Sequence, residues 1–495
     1  MDEKVIYSSK PAQARPEAAQ PTNPAPVTPP LSVPPLPPSS ASPIAPAPPV
    51  SPGTELLPKP PKGSPLGGIL KIGGIGVVFL LLIFLVIRFV VPLFHKGQTE
   101  ELVTLTYWGL FEDKNVMSTI VNDFHREHPL ITINYVQKDI KQYRQSLVTQ
   151  INAGSGPDIY RFHNSWVGMM KSFLSPMTSD VISSEEFKKN YYPVIQQDLI
   201  RNGALYGIPL EIDTLSLFVN TELFEAGGNA VPTTWDEFIR VAKDRVVKDG
   251  DGKIQTAGAA LGTYDNITHA ADIVALLMAQ NGTNFSNFSS TLDNTSQTLQ
   301  FYTAFAKDEG SVWDSTLDPS IVAFSKGNLA MYFGYSWDIF AIKALNPDLK
   351  FSIHPVPNLP SRKTAMASYW VEGVSSKSKH QKEAMLFMQY LTKKETLQKL
   401  YSETAKTRLF GEPYPRADLA GTVKNNPLVA PFLEQAPYAV SSYFVSDTYD
   451  DGVNSQMDAY LGNAVRSTQG SDSSVKTAVD TLAQGVNQVL GKYGQ

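Results

Sequence analysis

Five short segments of this 495-residue chain gather aromatic rings, carboxylates and amides: Trp108 with Glu112, Asn164 with Trp166, Glu211 with Asp213, Tyr335 with Trp337, and Tyr369 and Trp370 with Glu372. Flat rings stack on apolar C–H faces, and carboxylates or amides bond a rim of hydroxyls. A pyranose presents both surfaces. An anionic ligand would call for arginine or for serine-rich helix starts, yet arginine is absent from every one of these loops.

Catalytic constellations are missing. Gly334-Tyr-Ser-Trp-Asp338 lacks the closing glycine of a nucleophile elbow. His125 and His128 are one residue too close for the H-E-x-x-H zinc helix, and the chain has no cysteine, so no metal site is expected. Asp249-Gly-Asp-Gly252 resembles an EF-hand loop, but Gly252 at the sixth position puts Val247 at the first and Gly258 at the twelfth. A turn is expected there. Glu112 and Glu211 would be the carboxylate pair of a glycosidase reading, the least favoured. No G-x-x-x-x-G-K-[ST] is present, so the chain is not an ATPase, and no cofactor is expected.

The elements that must position these residues read as alternating α and β. Val103, Leu105 and Tyr107 alternate with polar residues, Val116, Ile120 and Phe124 recur at helical spacing, and Ile131, Ile133 and Tyr135 alternate again. Strand–helix–strand with short links predicts a βαβ unit and a parallel sheet, with ligands beyond the carboxyl ends of its strands. The loop from Trp108 to Asp113 lies there, as do His163, Asn164 and Trp166 after a strand at 159–162. Thr234 with Glu237 and Ser378 with Gln381 have the spacing of capping boxes. Trp235, inside the first of them, is assigned to the core.

Several of these segments carry a resemblance. Tyr206-Gly-Ile-Pro209, two acids, an apolar strand ending at Asn220, Glu222-Leu-Phe224 and the Pro232-Thr-Thr-Trp-Asp-Glu237 helix start are similar to the first hinge of extracytoplasmic solute-binding proteins, the carbohydrate-binding, maltose-binding-like family of ABC importers. Ala153-Gly-Ser-Gly-Pro-Asp-Ile159 and Phe324-Ser-Lys-Gly-Asn-Leu-Ala-Met331 resemble further motifs of that family, in order, across about residues 102 to 420. The resemblance implies a two-lobe periplasmic-binding-protein-like α/β fold (type II), a monomer that is not an enzyme, and delivery of a sugar or oligosaccharide to an ABC permease. It implies lobe 1 at about 100–209 and 364–408, and lobe 2 at about 214–355 and 416–495.

The first hundred residues differ in kind. Residues 1–65 hold 20 of the 37 prolines and are expected to form a disordered cytoplasmic tail. Ile72–Phe94 carries one charge, Arg88, in 23 residues, and its helix would be about 35 Å long, enough to cross a bilayer. An anchor over 66–97 is therefore expected, uncleaved because no A-x-A-like site follows. Lys59, Lys62 and Lys71 before it place the tail inside and residues 98–495 on the extracytoplasmic side. An alternative role is a sensor or scaffold signalling through the tail. The net charge of −5, without a basic cluster, argues against nucleic acid.

Overall fold

The computed structural model describes residues 101–360, 362–470 and 474–493, all within the compact unit His95–Gln495. The expected Pro-rich tail and anchor lie outside the described residues. Among the described residues, no helix is long and apolar enough to cross a membrane.

Two sheets organise the unit as two lobes. The first runs in the order Ile131–Gln137, Val103–Gly109, Ile159–His163, Trp370–Ser375 and Leu174–Ser175, with Ile208–Pro209 also paired to Trp370–Ser375. Val103–Gly109 pairs in parallel with both its neighbours, as the βαβ pattern requires. Lys114–Glu127 packs on this sheet through buried Val116, Met117, Ile120 and Phe124, and Gln381–Thr392 covers it too. The second sheet runs Val247–Lys248, Ile254–Ala259, Leu329–Gly334, Ser216–Asn220 and Phe351–His354. Trp235–Arg245 packs on it, its start fixed by the Thr234–Glu237 capping box. The long helices Val453–Gly470 and Val475–Lys492 pair with each other and lie against Leu292–Thr303.

Among the described residues, the chain crosses between the lobes after 209, after 354 and again between the helices Lys394–Thr404 and Ala430–Gln435, the last of which packs on Phe351–His354. The crossings bond to one another. Asp213–Thr214, Ala365–Ser368 and Ala439–Val440 form a small sheet of their own. Leu215 N–H donates to Met366 O (2.8 Å), and Ile212 N–H donates to Pro413 O (3.0 Å).

The second expected capping box does not form. His380 stands before the helix Gln381–Thr392 with no side-chain bond to it. Ser378 Oγ instead donates to Asp158 Oδ1 (2.6 Å), and Gln381 Oε1 accepts from Ser175 Oγ (3.1 Å). Ser378 Oγ does accept a local amide, but that of His380 (3.1 Å), one residue short of the position a capping box requires. Asp249 does make a turn, its Oδ1 accepting from the Asp251 and Lys253 amides.

Candidate functional site

A buried ion cluster underlies the carboxylates singled out above. Arg161 stands in the strand Ile159–His163, fully buried, between Glu112 and Glu372. Its Nε donates to Glu372 Oε1 (2.7 Å), and its Nη atoms lie 2.6 Å from Glu112 Oε1 and 2.5 Å from Glu372 Oε1. Only the Nε contact is aligned as a hydrogen bond; the Nη contacts are close ion pairs with poor angles. Burial pushes the Glu372 carboxyl up to about 7 even though Arg161 pulls it down. Glu112 and Glu372 thus face an arginine of their own lobe. The loops lack arginine, but the adjoining strand supplies one.

Glu211 is half-buried on the first crossing, and burial, then the Glu412 carboxyl, holds it well above the usual carboxylate range. Two residues on, Asp213 accepts from its neighbour Thr214 N–H (2.8 Å) and from Ser336 N–H (2.8 Å). That second bond ties the crossing to the second lobe's loop at Tyr335–Asp338. Burial outweighs these donors and raises Asp213 to about 8.

The aromatic residues separate by exposure. Trp108 is buried, its ring tilted against Tyr143 and covered by Lys138 Nζ at 3.9 Å. Trp166 is fully buried, its indole N–H donating to Asn454 Oδ1 (2.9 Å). Tyr369 is buried with its hydroxyl on Asp198 Oδ2 (2.7 Å), which also accepts from Asn164 Nδ2 (2.9 Å). Trp370, 8% exposed, is edge-packed by Phe111, His163 and Trp166. The structure therefore brings Asn164, Trp166, Tyr369 and Trp370 together as a packed wall, while Trp108 faces away into core. Trp337 differs: 37% exposed, it stacks on Tyr335 with centroids 4.4 Å apart and planes 16° apart. Tyr335 is locked beneath by its hydroxyl bond to Asp272 Oδ1 (2.8 Å).

Sequence reasoning missed two exposed rings. Among the described residues, the exposed large aromatics are Phe111 (45%), Trp337 and Tyr449 (51%). Phe111 lies inside the loop Trp108–Asp113, and only the neighbouring tryptophan drew attention away from it. Tyr449 belongs to a segment with left-handed φ at Asp447, Tyr449 and Asp451, which no motif flagged. This segment touches both lobes. Arg144 pairs with Asp451 (2.5 Å) and Asn454 receives Ser165 and Trp166 on one side. On the other, Asp272 accepts from Ser446 N–H (3.0 Å), and His269 Nδ1 lies 2.9 Å from Ser446 Oγ. Burial alone would lower His269, but Asp338, 2.7 Å from Nε2, and Asp447 raise it to about 9. The histidine is a buried cation holding the segment down. A pocket of about 260 Å³ is lined by Asn164, Asp198, Arg201, Phe285, Ser441 and Tyr443.

Comparison with known proteins identifies the family and the fold. Residues 119–431 match the family described as bacterial extracellular solute-binding protein. The multiple sugar-binding protein of Streptococcus mutans serotype c is 24% identical over 355 residues, 67% of this chain and 80% of that protein. The galactooligosaccharide-binding protein of Bacillus subtilis is 22% identical, over 61% of this chain and 71% of its own. Among solved structures, the sugar-binding protein MalE from Xanthomonas citri superposes with a TM-score of 0.63 at 20% identity, covering 79% of this chain and 98% of its own.

Proposed function

This chain belongs to the bacterial extracellular solute-binding protein family, and from that premise we propose that it captures a sugar or oligosaccharide between its lobes and delivers it to an ABC permease. The observation that carries the reading is the stacked Tyr335–Trp337 pair, an indole 37% exposed in a loop whose Ser336 amide bonds Asp213. An open, preoriented ring costs little to bring to an apolar sugar face. The relatives named for multiple sugars and galactooligosaccharides support the ligand class. Glu211, Asp213 and Asn164 are the polar candidates nearest the crossings, with Phe111 and Tyr449 as further platforms. Residues 72–94 would tether the protein to the extracytoplasmic face of the membrane.

Lobe closure on the ligand follows from the three crossings, as a shift between open and closed populations. Titration calorimetry of the full chain against a panel of mono- and oligosaccharides tests the reading. Saturable binding of at least one glycan is the expected result. Binding of an amino acid, peptide or anion with no glycan bound would overturn the carbohydrate assignment.

A further inference from the structure

Arg161 is fully buried and cannot touch a ligand, yet each carboxylate it holds sits beside a ring of the lobe-1 wall. Glu372 faces Arg161 directly across the strands Trp370–Ser375 and Ile159–His163, and Trp370 faces His163 in the same register. Side chains alternate along a strand, so Trp370 and Glu372 share one face. Glu112 reaches the same guanidinium from the loop after Val103–Gly109, its Oε1 2.6 Å from an Arg161 Nη atom. Its neighbour in sequence, Phe111, packs edge-on against Trp370 with ring centroids 5.4 Å apart. These contacts close a circuit from Arg161 through Glu112, Phe111, Trp370 and Glu372 back to Arg161.

The loop's own anchors turn Phe111 outward. Leu110 and Glu112 are buried, while Phe111 between them is 45% exposed. Gln137 Nε2 donates to Leu110 O (3.2 Å), and the Tyr135 hydroxyl donates to Glu112 O (2.9 Å). Those bonds pin the loop backbone to the neighbouring strand. The Glu112 side chain adds the one link that reaches across to the strand carrying Arg161. A guanidinium presents a fork that spans two carboxylates at once, which a lysine ammonium, a single point charge, does not.

We propose that Arg161 is a positioning residue for ligand capture: by holding Glu112 and Glu372 it sets Phe111 against Trp370 and presents a preformed aromatic edge on lobe 1. Glu112 then acts from beneath the loop, not as a direct partner of ligand hydroxyls. A ring fixed in advance spares the binding step the ordering of one side chain, worth about three- to tenfold in dissociation constant. The effect on sugar affinity rests on the binding reading above. The hold of Arg161 on the loop does not.

Arg161→Lys in the full chain tests it. The buried cation stays, so the carboxylates keep a counter-charge, but one ammonium does not span both. With 4-fluorophenylalanine at position 111, the fluorine resonance reports the ring's contact with Trp370. Without sugar, it should stand apart from the free amino acid in the parent and move toward it in Arg161→Lys. For a sugar that the parent binds, Arg161→Lys should weaken affinity about three- to tenfold, and Phe111→Ala should cost less in that variant than in the parent. Glu112→Ala, which leaves Arg161 and Glu372 as a one-to-one pair, should reproduce both effects. Glu112→Gln, which keeps an acceptor oxygen for the guanidinium, should restore affinity toward the parent's. A resonance unmoved in both Arg161→Lys and Glu112→Ala overturns the hold on the loop. Equal costs of Phe111→Ala in every background overturn the positioning role and leave Arg161 a structural cation. If no sugar binds the parent while the resonance still moves, the binding reading fails and the hold on the loop stands.

Discussion

At the scale of single residues, two tryptophans of similar size have opposite assignments. Trp337 has an open face and a stacked partner, whereas Trp235 is buried with its indole N–H on Gln280 Oε1 (2.6 Å). Trp337→Ala should weaken sugar binding by about 1–3 kcal/mol, the worth of a buried apolar contact, with little change in melting temperature. Trp235→Phe should lower the melting temperature, because Gln280 loses its donor, and leave affinity nearly intact. Calorimetry and thermal unfolding on the same two variants separate the roles; the reverse pattern would move the platform elsewhere. Residue types alone could list these side chains but not sort them. Trp108 and Trp337 both sit at strand ends, and only the packing of Tyr143 and Lys138 around one of them decides which is open. Arg161 had a readable signal after all. A lone charge inside the apolar run Ile159-Tyr-Arg-Phe162 has to find a counter-ion, and Glu112 and Glu372 were already in view.

At the scale of elements, periodicity served well where a face is buried and poorly where ends are set by distant partners. The strand Val103–Gly109 and the helix Lys114–Glu127 follow directly from their alternation and their 3.6-residue stripe. The start of Gln381–Thr392 does not, because Ser378 accepts from the His380 amide and Ser175, more than two hundred residues away, donates to Gln381 Oε1. The segment before Val453–Gly470 is similar. Asp450 accepts from the Asn454 and Ser455 amides, both at 2.9 Å, and so satisfies the open first turn. Asp450→Ala should cost about 1–2 kcal/mol, read as a lower denaturant midpoint with an unchanged slope. Loss of the cap should also loosen Tyr449. An unshifted midpoint would show that Arg144 and Asn454 hold the segment without it.

For the whole molecule, buried titratable groups set how stability follows pH. Glu372 is raised to about 7 and Asp213 to about 8, so the folded protein holds protons that the unfolded chain releases near pH 4. Stability therefore falls as pH climbs through that window. His269, raised to about 9, contributes fully below its unfolded value of about 6.5, and its contribution is lost as pH rises through 9. All three act in the same direction. The melting temperature should decline steadily between about pH 6 and about pH 9, and Asp213→Asn should flatten the first part of that decline. A melting temperature that rises over this range would contradict the buried assignments.

The strand Trp370–Ser375 lies in the middle of the first sheet, between Ile159–His163 and Leu174–Ser175. Its antiparallel neighbour Ile159–His163 leaves the ribosome roughly two hundred residues earlier, which at ~5–20 residues per second is on the order of 10–40 s. Through that interval the nascent chain carries an unpaired strand edge of apolar character, the kind that recruits wrong partners. The first sheet cannot be finished before every strand of the second sheet has been synthesised. Ribosome-stalled chains ending before residue 370 should stay open to protease across 100–209, and chains extended past the helix Lys394–Thr404 should become resistant there. Secretion machinery that needs an unfolded polypeptide would find one waiting, kept so by the order in which its strands are made.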